Sequence, residues 1–275
     1  MSKRTTALNQ YEHQQFNEIA AWKDEEPGVV SNVVGKALYP LTWLINKIIP
    51  TSAIQAVLEA ANRIAELSAD ENDIRRDAGV SSIEEIRKVS LDKCDELANG
   101  VHNWAIGLAS AEGGVTGSLG LPGLAADIPL TITFALRTIH KIGLCYGFKL
   151  DDERGKQIVL GILATSGANS MHEKVAALAT LHQIKVIVRA STWKAMEKIA
   201  ENQFTKEAGI LATKAVAKSL GINMTKRKTL QAIPIIGALV GASVNGWYIK
   251  EVGWAARREF QEHWLLDNNK FCFPN

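Results

Sequence analysis

Few residues in this chain have the type and spacing that chemistry needs. His172-Glu173 begins a zincin pattern, but Ala176 stands where the second zinc-ligating histidine belongs. His182 lies ten residues beyond His172, about 280 degrees around an ideal helix, so the two do not share a face. Ser90 with Lys93 and Ser191 with Lys194 both fit S-x-x-K, the spacing that lets a lysine reach a nucleophilic serine. Two matches in one helical chain show how readily that pattern arises by chance. Gly155-Lys156 runs into Gln157 without the earlier glycine of a phosphate loop, and Gly117, Gly120 and Gly123 do not make G-x-G-x-x-G. No metal, nucleotide or other cofactor is expected, no catalytic residue can be assigned, and the reading leans away from an enzyme.

One carboxylate stands out. Between Leu97 and Leu136 the formally charged side chains are Glu112 and Asp127, and a carboxylate in so apolar a run costs several kcal/mol unless it is paired or wet. Asp127 has three readings: a cap on a helix with Pro129 in its first turn, a partner for a distant Arg or Lys, or a proton or ion site.

The elements that would position these residues read as helices throughout, and the twofold alternation of strands is missing. The predicted fold is all-α, one domain over 1–275 with about eight to ten helices and a possible polar linker near 70–81. Helices are expected over about Gln10–Asp24, Ser31–Ile49 with a kink at Pro40, Ser52–Ser68, a short one after Ser82, Asp152–Ser166, Glu173–Arg189, Trp193–Gln203 and Lys206–Leu220. Two Gly/Pro-rich apolar segments interrupt this pattern. The first holds Gly113, Gly114, Gly117, Gly120, Pro122 and Gly123, and predicts an αα-hairpin whose second arm runs from about Leu124 to Tyr146 and ends at Gly147. The second, Thr229–Ile249, carries no charge and contains Gly237-x-x-x-Gly241. It follows Lys226-Arg227-Lys228 and precedes Trp247, Trp254 and Trp264. The basic cluster is either a solvated helix start or an anionic-lipid contact, and the tryptophans either an interfacial belt or core.

Composition bounds the class. The 275 residues are 47% hydrophobic, enough to build a core without staples. Cys94, Cys145 and Cys272 are too few and scattered for a disulfide framework, which suits a reducing, cytoplasmic setting. A net charge of +2, from 31 basic and 29 acidic residues, argues against a nucleic-acid partner.

The stretches GLPGLAADIPLTITFALRTIHKIGLCYGFKLDDERGKQIVLGIL and AIPIIGALVGASVNGWYIKEVGWAARREF resemble the EcsC family, and YEHQQFNEIAAWKDEEPG resembles its N-terminal helix. Carried over, the motif falls on Gly123, Asp127, Pro129, Tyr146, Gly147, Pro234, Gly237 and Gly241. The founding member is encoded beside an ABC transport system. The resemblance therefore implies a non-enzymatic accessory protein, peripheral to a membrane and linked to transport or to protein or peptide processing. Its partner would be a membrane surface or a membrane protein, with Lys226, Arg227, Lys228, Trp247 and Trp254 as contact candidates. Two competing functions stay open: a hydrolase built from distant residues such as Asp127, His140 and His172, and a fully soluble interaction module.

Overall fold

A computed structural model describes residues 6–26, 60, 63–65, 69–118, 121–168, 171, 174–179, 181–182 and 234–270, with side chains described outside 113–129, 153 and 234–244. The fold is all-α, and no strand occurs among the described residues.

The first helix, α1 (Gln10–Asp24), starts on a reciprocal cap: Asn9 Oδ1 accepts from the Glu12 amide and Glu12 Oε2 from the Asn9 amide, both at 2.8 Å. Next comes α2 (Asn72–Ala78), inside the stretch expected to be a linker. Its composition is polar, yet Ile74 is buried and Asp73 pairs with Lys141 at 2.5 Å. Gly79 ends it at φ +70°, the left-handed conformation that favours glycine. The helix expected after Ser82 is a 3-10 helix, Ile83–Lys88, and the Ser82 side chain does not cap it.

Among the described residues, three long helices build most of the core. In α3 (Leu91–Ser118) the buried residues Leu91, Cys94, Ala98, Ala105 and Ala109 recur at helical spacing, and the alanines let a neighbour approach closely. That neighbour is α6 (Pro234–Asp267), which meets α3 along the face carrying Gly246, Gly253 and Arg257, while its Phe260 stacks on Tyr146 and Phe148. Between them in sequence lie α4 (Leu121–Cys145) and α5 (Glu153–Ser166). Ile132, Leu136, Ile139 and Ile142 of α4 and Val159, Ile162 and Leu163 of α5 complete the apolar interior. Asp152 caps α5 as expected, accepting from the Gly155 amide at 2.6 Å. A Cβ on Gly155 would stand 2.4 Å from Leu150 Cα, so this glycine serves close packing rather than phosphate binding.

α3 and α6 run antiparallel in one register along their described length. Asn245 donates to Glu112 at 2.9 Å, a Cβ on Gly246 would meet Ser110, and His102 lies 3.0 Å from the Lys250 carbonyl. Further along, Arg257 donates to Asn99 at 3.2 Å and Gln261 to Asp95 at 2.8 Å. As residue numbers rise on one helix they fall on the other. The N-terminal turns of α6 are thereby directed toward the end of the bundle where α3 finishes and α4 begins.

Candidate functional site

The residues singled out by sequence separate in space. The helical backbone holds Gly113, Gly114 and Gly117 in α3 and Gly123, Asp127 and Pro129 in α4; Pro234, Gly237 and Gly241 lie in the first turns of α6. α4 begins at Leu121, with Pro122 in its first turn where a missing N–H costs nothing. Asp127 therefore does not cap the start of this arm: it lies in the second turn. Asp127 and His140 are thirteen residues apart on α4, about 20 Å along the axis, too far to share a reacting centre. His140 is itself buried, and burial pushes its pKa down to about 4. His172, Lys226, Arg227 and Lys228, and the expected helices over Ser31–Ile49, Trp193–Gln203 and Lys206–Leu220, lie outside the described residues, as does most of Ser52–Ser68.

Tyr146 and Gly147 sit at the centre of a buried polar node. The Tyr146 hydroxyl donates to Asp95 Oδ1, and Tyr11 of α1 donates to Asp95 Oδ2 at 2.7 Å. Gln261 Nε2 also donates to Asp95 Oδ1, and to Gln15 Oε1 at 3.0 Å. Arg258 donates to the Gln15 and Gln261 side-chain oxygens, each at 2.9 Å, and to Glu18 at 2.8 Å. Desolvation, with the adjacent Asp95 carboxylate, holds the Tyr146 phenol well above its usual pKa, so it stays a neutral donor. Gly147 is at φ +84°, and a Cβ there would stand 2.6 Å from Arg87 Cγ; the Arg87 guanidinium donates to its carbonyl at 2.8 Å. The Tyr-Gly step thus joins α4, the 3-10 helix and the node.

The candidate tryptophans divide likewise. Trp264 is buried and donates to the Val89 carbonyl at 3.1 Å. Trp254 is half-buried, with the Arg257 guanidinium 4.6 Å from its ring centre and the Arg258 guanidinium 5.1 Å from it. His102 meets its edge at 5.7 Å. Trp247 is half-buried against the core. Cys94 and Cys145 are buried, and desolvation lifts the Cys94 thiol to about 12, which leaves it unreactive.

A further cleft among the described residues lies elsewhere, and sequence reasoning did not find it. A cleft of about 700 Å³ lies between α2, α3 and α4. α2 supplies Asp73 and Asp77, α4 supplies Arg137, Thr138 and Lys141, and α3 supplies the paired Lys93 and Glu96 beside the apolar Leu97, Val101 and Ala105. Trp104 stands at its edge, 57% exposed, with the Arg137 guanidinium 5.3 Å from its ring centre. The signal available in the sequence was a tryptophan between Gly100 and Gly107 on one face of a helix. No group of three or more potential metal ligands occurs among the described residues.

Comparison with known proteins completes the identification. The chain is 23% identical over 189 residues to the Bacillus subtilis (strain 168) protein named Uncharacterized protein YdbA, an alignment covering 69% of this chain and 64% of that protein. The chain thus matches less than two thirds of that relative's length. No solved structure matches. The model of the EcsC protein family matches residues 13–265, and with the Tyr146-Gly147 joint and the α6 segment falling inside that match, the chain belongs to the EcsC protein family.

Proposed function

We propose that this is a non-enzymatic helical protein that lies peripherally on a membrane and assists a membrane transport or protein-processing system. The supporting observation is the polarity of the bundle. The α3–α6 register directs the uncharged first turns of α6 toward the apolar last turns of α3 and first turns of α4. Ion pairs such as Lys141–Asp73 and Arg258–Glu18 lie toward the opposite end. No helix among the described residues is long and apolar enough to cross a membrane, so the proposal is contact at the surface.

Apolar area and charge would act together there: about 1 kcal/mol for each basic residue near an anionic surface, plus burial that salt does not screen. Flotation with anionic vesicles tests it. Binding should weaken with salt without vanishing, and weaken again when Lys226, Arg227 and Lys228 are neutralised. A folded protein that stays in the soluble fraction at low salt eliminates direct lipid contact.

A further inference from the structure

α1 meets the rest of the bundle through a polar pattern that its own sequence completes. Of the three residues it buries, Glu12 and Gln15 are polar and Ile19 is apolar. Along the helix, the Tyr11 hydroxyl donates to Asp95, Gln15 accepts from Arg258 and Gln261, Glu18 pairs with Arg258, and Lys23 pairs with Glu262. Lys270 pairs with Glu12 near the start of the helix, and Lys174 donates to the Trp22 and Glu25 carbonyls at its end. The receiving groove on α3 and α6 is braced from within. Asp95 is also held by Tyr146 and Gln261, and Gln261 accepts from Arg258. A one-turn slip of the helix would set Gln14 or Trp22 opposite Arg258 in place of Glu18. Charge order and register therefore select α1 itself.

We propose that this groove is an exchange interface, which takes α1 of a second copy of the chain in place of its own. In trans the helix makes the bonds it makes in cis, and Tyr11, Ile19 and Trp22 pack the same apolar surface, so exchange introduces no mismatch and costs only association entropy. Chain length permits it. Ala65, the next buried residue among those described, lies 41 positions beyond Asp24, a contour of up to about 140 Å. A connection of that length keeps α1 near its own groove at an effective concentration of about a millimolar or below, which a concentrated solution of chains rivals. Salt screens the ion pairs along the seam and eases the helix out. The groove lies toward the charged end of the bundle, so the proposal stands apart from the membrane reading above.

The test is charge-swap mixing of whole chains. Lys23→Glu alone and Glu262→Lys alone each put like charges across the seam in cis. When the two variants are mixed, each α1 finds an opposite charge only in the other chain's groove. Light scattering should find a species of twice 30.0 kDa that is about tenfold more abundant in the mixture than in either variant by itself. Glu18→Arg mixed with Arg258→Glu repeats the test at a second pair, so a variant that fails to fold leaves the other pair to decide. Wild-type chains held near millimolar concentration in about 1 M salt and returned to low salt should contain the same dimer. Mixtures that stay monomeric for both swap pairs, with far-UV circular dichroism showing folded chains, overturn the proposal. A dimer that forms equally in each variant by itself runs through another surface and overturns it too.

Discussion

The Tyr146 hydroxyl donates to Asp95 across 51 residues of chain, and the other oxygen of the same carboxylate accepts from Tyr11 on a third segment. Asp95→Ala would leave the Tyr11 and Tyr146 hydroxyls without their acceptor and cost the Gln261 amide one of its two. A loss of about 3–5 kcal/mol is expected, against about 1 kcal/mol for Tyr11→Phe, which removes one donor. Urea unfolding with the denaturant slope held common checks the ranking. Equal losses would show that Asp95 is not the hub.

Glycines separate by conformation and space. Gly147→Ala forces a Cβ onto φ +84° and against Arg87, and should cost more than about 1 kcal/mol. Gly107→Ala faces open space in the middle of α3 and should stabilise by about 0.5–1 kcal/mol. Thermal unfolding of the two variants should therefore shift in opposite directions.

His102 contributes to the pH dependence. It is buried between α3 and α6 with Lys250 and Arg257 nearby, and desolvation followed by the Arg257 charge lowers its pKa to about 4. The unfolded chain binds this proton near pH 6.5, so between about 6.5 and 4 the unfolded state is the more protonated. The His102 contribution is complete above pH 6.5 and is lost as pH drops through that window, with His140 acting in the same direction. His102→Gln should flatten the slope of the urea midpoint over pH 4–6.5. An unchanged slope would assign the acid loss to other groups.

α1 is held by ion pairs as well as by the packing of Tyr11, Ile19 and Trp22. Glu12 pairs with Lys270 at 3.0 Å, Glu18 with Arg258 at 2.8 Å and Lys23 with Glu262 at 2.6 Å, and Ile19 is its one fully buried apolar side chain. A polar contact surface costs little to rewet and is screened by salt. Amide hydrogen exchange in α1 should accelerate by several-fold between about 0.05 and 1 M salt, while α3 and α6 amides change little. If α1 exchanges only through global unfolding at every salt concentration, its attachment is not separable.

The sequence carried the helices better than the joints. Period and caps placed α1 and α5 within a residue of their ends because Pro27-Gly28 and Asp152 punctuate them. The start of α4 was misplaced because Pro122 reads as a turn residue, although a first helical turn accepts it. The stretch 70–81 looked like a linker because it is polar; what docks α2 is one isoleucine and one ion pair to a residue 68 positions away. The same distance hides the node. Asp95 is an unremarkable acid near the start of α3 until Tyr11, Tyr146 and Gln261 arrive from 84, 51 and 166 residues away. Trp104 was legible only as an aromatic on a helix, since exposure is decided by which neighbours are absent.

The sequence separation between α1 and α6 also has a meaning in time. Glu18 meets Arg258 across 240 residues, and Gln15 meets Gln261 across 246. At about 5–20 residues per second, synthesis leaves α1 waiting roughly 10–50 s for these partners. During that interval Tyr146 already has Asp95, while Gln15 and Glu18 have water. α1 is therefore made long before its α6 partners, and a nascent chain stalled before residue 258 should present α1 with Gln15 and Glu18 still in water and more protease-sensitive than in the finished chain.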